Sequence, residues 1–329
     1  MTKRERVISA ISHKATYPVP WHLDLGDDIS IRLERELGQD FFEKTGSHLA
    51  QRRNESFTVL GSNSFLDMFG VPWNREQEGD FGVVAKYLLS EPAFGAYQFP
   101  KPDEILIREK CADLEKQTDL FRMYNIGFSL FERAWTLRSM AELLTDFLVN
   151  KDFVHELLNA ITEYNLAVID IAAQYDIDCI FLGDDWGQQR GLIMGPSLWR
   201  EFIKPYLCRM YERVKSYGIF VAQHSCGDVS AVFPDLIDLG LDIYNTFQPE
   251  VYDIGQMKSL YGKNITFYGG ISTQRLLPTG TPDEVERETR KMLRQMGADG
   301  GYICAPTHAM PNDIPTGNVL AFLRAVQNQ

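Results

Sequence analysis

From about residue 120 onward, short apolar runs alternate with longer amphipathic ones, and few folds tolerate that pattern. The strand-like runs are MYNIGFSLF (123–131), CIFLGDD (179–185), IFVAQHSC (219–226), DIYNTFQ (242–248), ITFYGGIS (265–272) and GYICAP (301–306). Between and after them lie stretches with helical spacing: 139–149, 152–174, 197–217, 229–239, 253–261, 282–296 and 316–327. Two of these start conventionally, at Pro196-Ser197 and at Thr281-Pro282-Asp283-Glu284, and Gly218 and Gly297 mark two ends. Strand, helix, strand in repetition implies parallel strands joined by right-handed crossovers. VPWHLDL (19–25) adds one more strand near the start. Seven or eight such strands fit an α/β fold, a (β/α)8 TIM-type barrel with an N-terminal extension, better than the alternative of an open doubly wound sheet. The stretch 50–100, with SFTVLG and GVVAKYLLSEP, breaks the rhythm and reads as an irregular insertion or hairpin near the barrel mouth. With 329 residues and 44% hydrophobic content, one domain over 1–329 can bury a large core.

Charge narrows the partners. A net charge of −12, without a basic run, argues against nucleic acid and against anionic membrane surfaces. The opening MTKRERVISAISHK has no apolar signal core, and no apolar stretch approaches the ~20 residues of a membrane span. Five cysteines (111, 179, 208, 226, 304) are odd in number and scattered, which fits a reducing cytoplasm rather than a disulfide framework.

A parallel barrel carries its chemistry at the C-terminal ends of its strands. The first strand leads into His22 and Asp24, the 123–131 run into Glu132, and the next into Asp184, Asp185 and Gln188. His224 and Cys226 follow, then Gln248, then His308 just beyond the last strand. Residues two apart on a strand face one side, so His224 and Cys226 should project together. Imidazole nitrogen and thiolate together suit zinc, whose catalytic sites use three protein ligands and keep one position open. The third ligand is either His308, at the rim, or Cys304, deeper in the last strand. The plainer reading makes Cys226 and Cys304 core residues and the histidines hydrogen-bonded wall or loop residues. One of Asp184 and Asp185 should point inward as hydrogen-bond partner of a metal-bound histidine, substrate acceptor or base; otherwise they serve as cap or turn residues. Gln188 and Gln248 suit a polar substrate headgroup, as do His22 and Asp24, while Glu132 has a salt bridge as its plain alternative.

FLGDDWGQQRGLIMGPSLWREFIKPY, HSCGDVSAVFPDLIDLGLDIYNTFQPE, KSLYGKNITFYGGISTQRLLPTGTPDEV and GGYICAPTHAMPNDIPTGNVLAF resemble the uroporphyrinogen decarboxylase superfamily. Within it, the His-x-Cys pair is similar to the branch of cobalamin-dependent (corrinoid) methyltransferases. The resemblance implies a (β/α)8 barrel with its site at the C-terminal mouth. It also implies zinc, and a corrinoid carried by a partner protein, since this chain has no Asp-x-His-x-x-Gly cobalamin motif. Two departures stand out. The decarboxylases grip their acidic porphyrinogen with an N-terminal arginine cluster, but no arginine occurs here between Arg6 and Arg32, and PWHLDLGDD is acidic. The methyltransferases usually supply a cysteine after the last strand, where this chain reads APTHAM and offers His308.

The implied activity moves a methyl group between a small substrate (a methyl ether, a methanol-like compound or a thiol) and the cobalt of a separate corrinoid protein. A His-Cys-His site is more positive than a thiolate-rich one, which suits polarising an ether oxygen slightly better than binding a thiolate. Two other readings remain at this point: a metal-free, decarboxylase-like lyase acting on a small carboxylated substrate, and a non-catalytic barrel that binds a small molecule.

Overall fold

The computed structural model describes residues 1–75 and 82–329. The chain divides into two compact units. The first contains residues 1–50, 117–122 and 241–329; the second contains 51–116 and 123–240. A strand, β1 (Leu49–Arg53), runs along the chain across that division.

In the second unit, three parallel strands follow one another: β2 (Phe121–Ile126, its first two residues in the other unit), β3 (Cys179–Gly183) and β4 (Phe220–His224). Met123 pairs with Cys179, and Cys179 with Phe220, so the three strands start level. Helix Lys151–Ala172 crosses from β2 to β3 and buries residues such as Val154, Leu158, Ile161 and Val168 at helical spacing. Phe131, Phe147 and Phe202 stack in its core, with successive ring centroids 6.2 and 4.8 Å apart. The stretch read as one helix over 197–217 is broken. A turn at Gly195–Leu198 passes into a π-helical turn, Trp199–Ile203, and then into an α-helix, Lys204–Ser216. Pro205 explains the break, because its nitrogen has no hydrogen to donate back to the preceding turn.

The irregular stretch 50–100 holds four antiparallel strands in the order Phe57–Gly61, Ser64–Asp67, Pro72–Asn74 and Val83–Val84. Asp67 anchors this small sheet. It accepts backbone N–H bonds from Phe69 and Val71, a bond from the Trp73 indole at 3.2 Å, and the buried guanidinium of Arg133 at 2.5 Å.

In the first unit, β5 (Ile243–Thr246), β6 (Thr266–Ile271) and β7 (Tyr302–Pro306) pair in parallel, with Ile243 level with Thr266 and Phe267 level with Tyr302. Helix Pro282–Gly297 starts as the sequence predicts: Thr281 and Glu284 form a reciprocal capping box with Pro282 in the first turn. The run 19–25 is not a regular strand. It lies parallel to the end of the chain through single bridges, Trp21 to Cys304 and Leu25 to Met310. Pro18 and Pro20 lack the N–H groups that a continuous ladder needs. Asp27 and Asp28 sit in the first turn of helix Asp27–Leu37, where negative charge is favoured.

Candidate active site

Strand β4 stops at His224, so Cys226 lies in the loop beyond it and not on the strand. The two side chains nevertheless meet: Cys226 Sγ is 3.6 Å from His224 Nε2. Asp185 supplies what the ladder does not. Its Oδ1 accepts the Cys226 backbone N–H at 2.7 Å and lies 3.5 Å from His224 Nε2. The loops after β3 and β4 are laced together along their length. Asp184 N–H donates to the His224 carbonyl (3.1 Å), Trp186 N–H to Ser225 Oγ (2.9 Å), and Asp228 N–H to the Gln188 carbonyl (2.9 Å). The approach is so close that a Cβ on Gly187 would stand 2.4 Å from the Cys226 carbonyl oxygen. Gly227 faces it with φ of 75° and no room for a side chain either.

The adjacent acids Asp184 and Asp185, both just past the end of β3, part ways. Asp184 is fully buried and turned to the start of helix Phe131–Arg138. It accepts the backbone N–H groups of Leu130 (3.3 Å), Phe131 (2.9 Å) and Glu132 (2.8 Å), and the indole N–H of Trp186. A carboxylate there satisfies the orphan donors of a helix N-terminus and complements its dipole. Burial pushes the Asp184 carboxyl up to about 6, against the pull of those N–H donors. Glu132 is therefore not at a strand end, since β2 closes at Ile126; it is the second residue of the helix that Asp184 caps.

These residues make a buried cluster of ionisable groups. Burial, followed by the charges of Asp185 and Asp184, pushes the Glu132 carboxyl well above the usual range. Burial, then Asp185 and then Glu132, raises the Cys226 thiol likewise. A bound cation would invert the thiol's preference. The donor geometry agrees. Tetrahedral zinc, with bonds of ~2.3 Å to sulfur and ~2.0–2.1 Å to nitrogen, holds those two ligands about 3.6 Å apart.

Gln188 reaches the same loops through its backbone, and its side chain is exposed. The other expected site residues belong to the first unit. Cys304 is wholly buried beside the Tyr302 hydroxyl, and burial pushes its thiol up to about 12. His308 is exposed, two residues past the end of β7. His22 is buried, with Nδ1 2.6 Å from Ser47 Oγ, and burial lowers its pKa. The Asp24 carbonyl accepts from Met310 N–H, and Gln248 is buried with its carbonyl at the turn to Tyr252. Sequence reasoning missed Ser225, Trp186, Gly187 and Gly227, which lace the loops. Gly187, two residues after Asp185, and Gly227, directly after Cys226, were the available signal.

Residues 128–329 match the model of the family described as uroporphyrinogen decarboxylase (URO-D). The chain belongs to the uroporphyrinogen decarboxylase family. Glu132, Asp184, Asp185, His224, Cys226, Cys304 and His308 all lie within the matched residues; His22 and Asp24 precede them. Curated relatives in this family range across two activities. The chain is 24% identical over 171 residues to the methylated-thiol–coenzyme M methyltransferase of Methanosarcina mazei, covering 52% of this chain and 43% of that protein. It is 27% identical over 185 residues to the uroporphyrinogen decarboxylase of Coxiella burnetii, covering 54% and 48%. It is 24% identical over 175 residues to the methylcobamide:CoM methyltransferase MtaA of Methanosarcina barkeri, covering 53% and 48%. The chain thus spans about half the length of the curated relatives it matches. A solved methyltransferase from Methanosarcina mazei superposes over 100% of this chain and 99% of its own, with a TM-score of 0.77 at 17% identity. That likeness establishes the fold, a TIM-type α/β fold of mostly parallel strands and helices. Among the described residues, no helix is long and apolar enough to cross a membrane.

Proposed function

We propose that the chain is a zinc-dependent methyltransferase that moves a methyl group between a small substrate and the cobalt of a separate corrinoid protein. The substrate is a methyl ether, a methanol-like compound or a thiol. His224 and Cys226 hold the metal, and the sequence past the last strand offers His308 as third donor in preference to Cys304. The observation that carries this reading is the 3.6 Å separation of His224 Nε2 and Cys226 Sγ, with Asp185 Oδ1 beside both residues. Two relatives whose names specify methyl transfer support it. Decarboxylation of an acidic porphyrinogen fits less well, because no arginine stands between Arg6 and Arg32 to receive the substrate's carboxylates.

Zinc held there would supply a Lewis acid for a substrate oxygen or sulfur. The chain's own residues do the rest. Asp185 fixes the Cys226 backbone and flanks His224, so the two donors stay aligned without metal. With a metal bound, Cys226 would hold it as thiolate, a form that burial otherwise disfavours. Asp184 locks the helix that carries Glu132, leaving Glu132 beside Asp185 as a proton-holding group.

Methyl transfer itself is the test. The purified protein, mixed with methylcobalamin and a small thiol, should release cob(I)alamin, seen by its absorbance under anaerobic conditions. In the reverse sense, cob(I)alamin should be consumed in the presence of a methyl ether. His224→Ala and Cys226→Ser should abolish either trace. Equal rates for wild type and both variants would refute the assignment; carbon dioxide release from a small carboxylic acid by a metal-free preparation would favour the lyase instead.

A further inference from the structure

Helix Pro282–Gly297 and the segment 15–19 line a cavity of about 540 Å³, within the ~300–1,000 Å³ usual for small-molecule sites. It lies wholly in the first unit. Gly297 comes just ahead of β7, and Val19 opens the run 19–25, so the cavity adjoins the beginnings of strands. Barrel chemistry sits where strands end, so this space is no part of it. The wall is mostly apolar, with Val19, Leu293 and Ala298 in it. It is also preformed. The Gln329 side chain accepts the Val19 N–H at 2.7 Å and donates to the Val19 carbonyl at 3.0 Å, while Arg6 donates to the Pro18 carbonyl at 3.0 Å. Val19 packs so closely on the helix that a Cβ on Gly297 would stand 2.4 Å from its Cγ2.

We propose that this cavity binds an amphipathic anion, a carboxylate carried on a short apolar chain. Charge selects that occupant. The chain has 45 acids against 33 bases, yet the cavity wall contains Arg290 and Arg294 and no acid. Arg290 is already engaged, by Glu286 at 2.9 Å and by the Asn328 carbonyl at 2.6 Å. Arg294, one turn further along the same helix, has no ion pair or side-chain hydrogen bond among the described residues. An arginine in a last turn also answers the helix dipole, but that role needs no cavity beside it. The apolar chain of the ligand fills the hollow, and its carboxylate takes the planar fork of N–H donors on Arg294. A neutral ligand would leave that fork unused, and a cationic one would meet two like charges. This inference is independent of the proposed catalysis.

Isothermal titration calorimetry of the full chain with three probes of one chain length tests it: octanoate, 1-octanol and octyltrimethylammonium. Octanoate should bind saturably with one site per chain, 1-octanol about tenfold more weakly, and the cation not at all. Arg294→Gln, a change at an exposed position, should weaken octanoate about tenfold and leave 1-octanol unchanged. Ala298→Trp, also at an exposed position, puts a bulky ring into the hollow and should abolish binding of both. Arg287→Gln, on the same helix but outside the cavity wall, should bind octanoate as wild type does. Circular dichroism should be unchanged in all three variants. Wild type without saturable octanoate binding, 1-octanol or the cation binding as tightly as octanoate, or an Arg294→Gln or Ala298→Trp protein with wild-type octanoate affinity would each overturn the proposal.

Discussion

Replacing Asp184 with alanine should be among the most destabilising single changes outside the apolar core. The carboxylate accepts three backbone N–H groups and one indole N–H, all in a fully buried setting. Each buried donor left without an acceptor costs about 1–3 kcal/mol. Loss of a negative charge at a helix N-terminus adds up to ~2 kcal/mol in buried geometries. Water entering the vacated space recovers part of this sum. A net loss of about 3–5 kcal/mol is expected, the range seen when one partner of a buried charged network is removed. Asparagine retains one acceptor oxygen and should lose about half as much. Urea unfolding followed by circular dichroism measures both, as a fall in midpoint at unchanged slope. A loss below about 1 kcal/mol for Asp184→Ala would show that the carboxylate does not close the start of helix Phe131–Arg138. The Asp185→Asn protein gives the contrast, because that side chain is about one-third exposed and holds a single backbone N–H.

Other consequences follow from the same geometry. Asp185→Asn should leave stability within ~1 kcal/mol of wild type and weaken zinc binding about 10–100-fold, measured by competition with a chromophoric chelator; unchanged affinity would remove Asp185 from the site. Gly187→Ala forces a Cβ to 2.4 Å from the Cys226 carbonyl, so it should displace the loop after β4 and lower both the unfolding midpoint and zinc affinity; a variant with wild-type values for both would contradict the lacing of the two loops. His48 is buried, and burial holds its pKa down at about 4 from 6.5. Its neutral form is the one the fold accepts, so the stability it contributes is complete above pH 6.5 and lost as pH falls towards 4. That loss has a ceiling of about 3 kcal/mol. His48→Gln should flatten stability over that window, and an unchanged slope would assign the pH dependence elsewhere.

Much of this architecture could be read from residues, and the exceptions have physical causes. The helix at Pro282 announced itself because its cap, N1 proline and acids act locally and need no tertiary partner. The six later strands were visible as unbroken apolar runs, since parallel strands are covered on both faces. Strand β1, LAQRR, escaped because two of its five residues are arginines and only its first two are buried. Helices Lys3–Ile11, Asp27–Leu37 and Glu104–Glu115 are rich in charge and were not distinguished from loops. At the site, His-x-Cys was legible as a pair, but for an incomplete reason. The spacing that should act through a strand acts through a loop, and the alignment comes from Asp185 across the neighbouring strand's end. Nor does spacing reveal which of two adjacent aspartates turns to a helix cap; that depends on a helix more than fifty residues earlier in the chain.

Zinc stoichiometry tests the central claim most directly. The protein, purified without chelator and analysed by inductively coupled plasma mass spectrometry, should carry close to one zinc per chain. His224→Ala, Cys226→Ser and His308→Ala should each lose it, while Cys304→Ser keeps it. Wild type that remains free of metal after reconstitution, or a Cys226→Ser protein that binds zinc as tightly as wild type, would contradict the account.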